Sequence, residues 1–120
     1  MKKYILCYCL IVFTTGLFAQ KQNAVWVFGN NAGIDFNSNP PTFRSGSVNN
    51  SLDNTSAISD SAGNLLFYTD GQNIYTANGA IMNSGAPLMG SSNGGQCALI
   101  VPRPNSTLYY VFTVDQYNNN

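Results

Sequence analysis

Short apolar runs alternate with turn residues in the stretch from Ala57 to Met82. Three turn sequences separate these runs: Asp60–Gly63, Asp70–Gly71 and Asn78–Gly79. Asp-Gly and Asn-Gly favour two-residue hairpin turns, because their central positions need positive φ. The pattern therefore predicts one small antiparallel meander. Its strands are expected at Ala57–Ser59, Asn64–Thr69, Gln72–Thr76 and Ala80–Met82.

The second strand of this meander is apolar on both faces. Strict alternation places Leu65 and Phe67 on one face and Leu66 and Tyr68 on the other. A strand with two apolar faces needs cover on both. We therefore expect neighbouring sheets to stack on either side of the meander.

The flanking sequence predicts further strands. The first contains Trp26, the largest apolar side chain available for burial, and the last again has two apolar faces that need cover. The two doubly apolar strands begin about 43 residues apart, a spacing that fits one blade of a β-propeller. Long polar connections are expected at Asn37–Asn54 and Asn83–Gln96. The predicted strands are Ala24–Phe28, Ile34–Phe36, a short one at Thr42–Arg44, Gln96–Val101 and Leu108–Val114.

Composition supports an all-β class. The chain has no Glu, few Lys and many Asn, Gly, Ser and Thr residues, which disfavours helices and favours turns and strands. We therefore predict antiparallel meanders that amount to about two blades of an incomplete β-propeller.

The N-terminus is typical of a secretory signal peptide. A basic Met1–Lys3 precedes an apolar Tyr4–Phe18, and cleavage is expected after Ala19. An uncleaved anchor is disfavoured, because about 15 apolar residues fall short of the roughly 20 that a spanning helix needs. A lipoprotein signal is disfavoured because Cys7 and Cys9 lie inside the apolar region. The predicted division is residues 1–19 as signal peptide and residues 20–120 as a partial propeller-like domain, exported to the periplasm or cell surface.

Charge narrows the choice of partners. Residues 20–120 contain only Lys21, Arg44 and Arg103 as bases, against five Asp residues. Without a basic patch, nucleic acid and anionic membrane surfaces are not expected partners, and no membrane span is expected after cleavage. The expected partners are neighbouring blades or the remainder of a longer chain, with surface glycans or proteins as further candidates.

The end of the sequence favours a fragment. A propeller needs at least four four-stranded blades, and residues 20–120 supply about two. The sequence is therefore predicted to be the N-terminal part of a longer chain, which in isolation would expose strand edges and apolar faces.

Three blocks carry a family resemblance: Val25–Phe36, Ala57–Gly71, and Ile100–Pro104 with Tyr109–Asp115. Together and in this order they resemble the start of the gliding-motility-associated, type IX secretion-type surface proteins of Bacteroidetes. The resemblance implies an N-terminal β-propeller-like region, often followed by adhesive modules and a C-terminal sorting domain. It implies no catalytic residues.

The inventory of reactive side chains is small. There is no His, and no Cys or His pattern for metal is present. No catalytic, cofactor-binding or metal-binding residue is predicted, and no cofactor. Cys97 lies in a predicted strand and is interpreted as a core residue. A sialidase-like reading of Ser59–Gly63 is weak, because the expected Asp spacing and Trp are missing.

Several residues are candidates for calcium, glycan or modification sites and also have structural roles. Asp60 with Asn64, and Asp70 with Asn73, are candidate calcium ligands, but capping of their own turns is the favoured role. Tyr75 and Tyr117 are candidate sugar-binding aromatics, with sheet packing favoured for Tyr75. Ser61 lies in a short sequence that resembles a bacterial O-glycosylation motif. Three N-glycosylation sequons, at Asn49, Asn54 and Asn105, are expected by chance in Asn-rich loops.

Two functions follow from these expectations. The first is a non-catalytic, exported or cell-surface propeller segment with a structural or adhesion-type role. The alternative is the N-terminal part of a secreted, sialidase-like carbohydrate-active enzyme whose catalytic residues lie beyond Asn120.

Overall fold

The computed structural model describes residues 20–48, 51, 55–82, 86–92, 95–96 and 98–115. In these residues the chain forms eight short strands and no helix, and all strand pairs are antiparallel. No helix long and apolar enough to cross a membrane occurs in the described ranges. The all-β prediction is confirmed. The strands are β1 (Val25–Val27), β2 (Gly33–Asp35), β3 (Thr42–Phe43), β4 (Ser56–Ser59), β5 (Leu65–Thr69), β6 (Ile74–Thr76), β7 (Ala98–Pro102) and β8 (Tyr109–Thr113).

The strands form three sheets that follow one another along the chain. The first has the order β1-β2-β3, the middle has β4-β5-β6, and the third consists of β7 and β8. Nearly every predicted strand is present, with ends shifted by a residue or two. The exception is Ala80–Met82, where the structure has only an isolated bridge between Tyr75 and Ile81.

A β-bulge lies between β4 and β5. Ile58 pairs with Phe67, whereas the adjacent Ser59 pairs with Leu65, so Leu66 is the extra residue. A bulge shifts the alternation of side chains by one position. The prediction that Leu65 and Phe67 share a face is therefore wrong, because the bulge places Leu65 on the same side as Tyr68.

The core lies between the first and middle sheets. Val25 and Val27 of β1 pack against Leu65, Tyr68 and Tyr75. The rings of Tyr68 and Tyr75, directly opposite each other on β5 and β6, are stacked with centroids 5.1 Å apart. Tyr68 is only 1% exposed. The Tyr68–Tyr75 stack is therefore the centre of this interface.

The opposite face of the middle sheet contacts the third sheet. Phe67 meets Tyr109 edge to face, with ring centroids 5.2 Å apart. The Ile100 N–H of β7 donates a hydrogen bond to Oγ of Ser56, at 3.2 Å. The middle sheet thus has a sheet on each side, as its two apolar faces predict.

The long connection after β3 is held to the first two sheets by hydrogen bonds. Gly46 N–H donates to Oδ1 of Asn31 at 2.6 Å, and the Ser47 hydroxyl donates to the Phe28 carbonyl at 3.1 Å. Val48 N–H donates to the Tyr68 hydroxyl at 3.1 Å. A polar segment without strands is in this way fixed against the core.

Candidate interaction surfaces

The outward side of the first sheet is an aromatic surface, which we call the tryptophan face. Trp26, Ile34 and Phe43 lie directly opposite one another on β1, β2 and β3, so their side chains share one side of the sheet. Phe28 and Phe36 lie two residues further along the chain on that same side. All except Ile34 are exposed.

The prediction that Trp26 supplies the largest buried apolar side chain of the first strand is wrong. Its side chain is 51% exposed, whereas Val25 and Val27 on either side are buried. Alternation requires one set to face outward, and the compact valines are the set that fits against the Tyr68–Tyr75 stack.

The Trp26 ring is held in place although it is exposed. Its indole N–H donates to the Asn23 carbonyl at 3.1 Å. Its ring centroid lies 5.1 Å from that of Phe36 and 6.5 Å from that of Phe28. An aromatic side chain fixed in this way loses little conformational entropy when it binds a partner.

A groove of about 390 Å³ lies beside the tryptophan face, between β1 and β4. Trp26 and Phe28 form its apolar wall, and Asn23, Thr55 and Ser56 contribute polar groups. The residues around it include no charged side chain. A groove of this composition suits a neutral, partly polar partner.

The outward side of the third sheet is a second apolar surface, which we call the hairpin face. Tyr110 and Phe112 of β8 lie on it with ring centroids 6.1 Å apart, and Leu99 is directly opposite Phe112. Leu108 and Val114 extend the face at either end. All five side chains are exposed. The last predicted strand is thus apolar on both faces, but only its inner face is covered by described residues.

The Asp70 turn is a buried polar group, with Thr69 0% and Asp70 5% exposed. Oδ1 of Asp70 accepts the N–H groups of Gln72 and Asn73 at 2.9 and 2.7 Å, and Oδ2 accepts the Tyr75 hydroxyl at 2.8 Å. The Thr69 hydroxyl donates to the Asn73 carbonyl at 2.7 Å and accepts Gly71 N–H at 3.1 Å. Burial, and then the hydrogen bond to Asp70, raises the pKa of Tyr75 to about 12.

The Asp60 turn has similar chemistry in an exposed position. Oδ1 of Asp60 accepts the N–H groups of Ala62 and Asn64, each at 2.9 Å. Oδ2 accepts the Asn64 side-chain amide, also at 2.9 Å. The hydrogen bonds from Asn64, its side chain first, hold the pKa of Asp60 below its ordinary value. Gly63 completes the turn with a φ of 95°.

Both candidate calcium pairs therefore cap turns. The carboxylate oxygens of Asp60 and Asp70 accept turn hydrogen bonds, and the Asn64 amide presents its nitrogen rather than its oxygen to Asp60. Within the described ranges, no group of three or more acidic, Cys or His side chains could hold a metal ion.

The remaining candidates are placed as follows. Tyr75 is buried, so it is not available as a sugar platform, and its packing role is the one observed. Ser61 is exposed at the tip of the Asp60 turn, and Asn105 is exposed in the β7–β8 turn. The expected signal peptide 1–19, Cys97, Tyr117 and the sequon residues Asn49 and Asn54 lie outside the described residues.

Comparison with known proteins identifies no relative: no family model, curated protein or solved structure matches the chain. The structural class of the protein is therefore defined by its own fold and surfaces. It is an all-β chain of stacked antiparallel sheets with aromatic outer faces.

Proposed function

We propose that this chain is a non-catalytic, exported β-propeller segment with a structural or adhesion-type role at the cell surface. The observation that carries the proposal is the stack itself. Three small sheets pack in succession, and both outermost faces present aromatic side chains. Contiguous exposed apolar surface of this kind is typical of interaction sites.

The propeller part of the proposal is supported by the order of the sheets. The eight antiparallel strands of the described residues form three successive sheets of three, three and two strands, whereas a complete propeller blade has four. Successive blades of a propeller also pack face to face in chain order. The resemblance to gliding-motility-associated surface proteins remains part of the proposal.

The non-catalytic part is supported by the roles of the acidic groups in the two turns. Asp60 and Asp70 are both occupied with backbone hydrogen bonds. General acid–base chemistry needs a titratable group within reach of a substrate proton, and neither carboxylate lines the groove beside Trp26.

Export is tested by producing the full chain in a diderm bacterium and determining the mass and N-terminus of the recovered protein. We expect a periplasmic or secreted product that begins at Gln20. A matched variant, Ile11→Arg, interrupts the apolar region and should keep the product uncleaved in the cytoplasm. A wild-type product that retains Met1 would contradict the proposal.

Interaction is tested by flow cytometry with the labelled, exported chain and intact bacterial cells as the probe surface. We expect saturable binding that Trp26→Ala or Phe112→Ala weakens about fivefold, as for a central interface residue. Met89→Ala is the matched control, because Met89 is exposed but belongs to neither apolar face. Equal binding by all four proteins would contradict an adhesive role for these faces.

An activity assay distinguishes the sialidase-like alternative from the adhesion module. A fluorogenic sialoside should not be hydrolysed by the chain above the rate of a buffer control. Hydrolysis that tracks the purified chain would favour the carbohydrate-active enzyme over the adhesion module.

A further inference from the structure

Edge strands expose backbone N–H and C=O groups, and folded proteins usually protect them. In this structure β1 and β4 protect each other at both ends of their contact. Ser59 N–H donates to the Gln22 carbonyl at 2.8 Å, and the Thr55 hydroxyl donates to the Val27 carbonyl.

The edge of β6 is protected by the segment that follows it. Thr76 N–H donates to the Ala80 carbonyl at 2.8 Å, and Met82 N–H donates to the Ile74 carbonyl at 2.7 Å. This segment therefore occupies the position of a further strand although it forms only an isolated bridge.

The edges of β3 and β7 are protected by other means. β3 has only two residues and follows Pro40 and Pro41. On β7, Ile100 N–H donates to Ser56, and Pro102 has no N–H to offer.

The outer edge of β8 has none of these protections among the described residues. Arg103 N–H donates to the Leu108 carbonyl at 3.0 Å. In an antiparallel pair this pattern alternates, so the backbone groups of Tyr109, Val111 and Thr113 point away from β7. The strand contains no charged residue and no Pro, and every residue in it has high β-propensity. The outer edge of β8 can therefore form backbone hydrogen bonds with a further strand.

We propose that β8 pairs antiparallel with β8 of a second copy of this chain, about a two-fold axis at Val111. The two hairpins would then form one continuous four-stranded sheet in the order β7-β8-β8-β7. The inference goes beyond the proposed function, since it depends neither on export nor on what the outer faces bind.

The sequence of β8 is self-complementary in this register. Val111 pairs with its own copy through two backbone hydrogen bonds, and Tyr109 pairs with Thr113. On the hairpin face Tyr110 comes opposite Phe112 of the other copy, and aromatic cross-strand pairs of this kind are stabilising.

Charge and continuity favour a second copy as the occupant. The same register places Asp115 opposite Thr107 rather than opposite its own copy, so no like charges meet directly. The hairpin face continues across the junction, and a two-stranded sheet becomes a four-stranded one, which is the more stable arrangement.

The test measures the mass of the full chain by sedimentation velocity over about a hundredfold range of concentration. We expect a species of twice the chain mass that dissociates on dilution. Val111→Pro removes an outward N–H without removing a β7–β8 hydrogen bond, and should weaken dimerisation at least about tenfold. Val111→Thr is the matched control, because it keeps the N–H and the β-branched shape and should dimerise like the wild type.

Cysteine crosslinking tests the register in a background in which Cys7, Cys9 and Cys97 are all replaced by Ser. Val111→Cys should form a covalent dimer on oxidation, because directly paired Cα atoms lie about 5.5 Å apart, within disulfide range. Leu108→Cys should not, because its two copies would be separated by about 20 Å along the strands.

Three outcomes would overturn the inference: a wild-type chain that stays monomeric, a Val111→Pro variant with wild-type mass and circular dichroism, or masses that grow without limit. The last would instead indicate open-ended stacking of the outer faces. A monomeric chain that still binds cells would leave the proposed function standing.

Discussion

The Asp60 and Asp70 turns use the same residue types in different surroundings. In both, one carboxylate oxygen of an Asp accepts two backbone N–H groups two to four residues further on. The second oxygen of Asp60 meets the Asn64 amide at the surface, whereas that of Asp70 meets the Tyr75 hydroxyl in the interior. The local sequence determines the turn in each case, and tertiary burial determines how much the fold depends on it.

Asp70→Ala should have the largest effect. The substitution removes both turn hydrogen bonds and leaves the buried Tyr75 hydroxyl without its acceptor, at a cost of about 3 kcal/mol in the free energy of unfolding. Urea unfolding at a fixed chain concentration measures this. Asp70→Asn is the control, since its amide can still accept the N–H groups, and it should lose clearly less. Equal losses for the two variants would show that the carboxylate shape is not what matters.

Gly63→Ala should come next and tests the exposed turn through its backbone. Gly63 has a φ of 95°, which costs a residue with a Cβ roughly 1–2 kcal/mol. The new Cβ would also lie 2.1 Å from Oδ1 of Asn37, whose amide donates to the Gly63 carbonyl. We expect a loss of about 2 kcal/mol in the free energy of unfolding. Asn37→Ala, which removes only that hydrogen bond, should cost less, and the reverse order would contradict this account.

Tyr75→Phe removes only the hydrogen bond from the Tyr75 hydroxyl to Asp70, which distinguishes the buried turn from the Asp60 turn. It should cost about 1.5 kcal/mol at neutral pH. Because the pKa of Tyr75 rises from 10.0 to about 12 on folding, the unfolded chain releases this proton first as pH increases. The stability contributed by Tyr75 is therefore complete below pH 10 and is lost as pH rises toward 12.

The free energy of unfolding, measured as a function of pH, tests this effect. Tyrosinate absorbance is the second readout. Tyr75→Phe should show a shallower alkaline loss than the wild type. Identical slopes for Tyr75→Phe and the wild type would contradict the assignment.

Asp60→Ala should have the smallest effect, because its hydrogen bonds are exposed and compete with water. Its pKa is lowered from 3.8 in the folded state, so its contribution is present above that value and is lost as pH falls through the folded pKa. Amide exchange provides the measurement: Asn64 N–H should exchange faster in Asp60→Ala, while Asn73 N–H should be unaffected. A loss of stability equal to that of Asp70→Ala would remove the distinction between the two turns.

The sequence predicts the strands of this fold well because turn residues and apolar runs are local features. Asp-Gly at Asp70–Gly71 and the apolar run Leu65–Thr69 determine β5 and its turn without reference to the rest of the chain. The predictions that failed depend on packing. Trp26 faces outward because its valine neighbours fit the Tyr68–Tyr75 stack, and Leu65 changes sides because of a bulge at Leu66. The alternation of apolar and polar residues along a strand predicts neither the outward position of Trp26 nor the bulge at Leu66.

The candidate surfaces are less determined by local sequence than the strands are. Tyr75 is buried, as its favoured packing role predicts, whereas the exposed aromatic platform is formed by Trp26, Phe28 and Phe36, which the sequence does not single out as a surface. The alternation Val25–Trp26–Val27 does show that the Trp and the valines face opposite ways. Which side is covered depends on the neighbouring sheet, and a single strand does not report that.

The hydrogen bond from Val48 N–H to the Tyr68 hydroxyl has a consequence for proteolysis. Arg44 lies in the same connection, and its backbone N–H donates to Gly33 at 2.9 Å. A trypsin-like enzyme must draw several residues around its cleavage site into an extended conformation, and here the nearby backbone is fastened to the central aromatic stack. Cleavage at Arg44 would then require local unfolding of the core. The rate of cleavage at this position therefore measures how often the sheets around the Tyr68–Tyr75 stack separate.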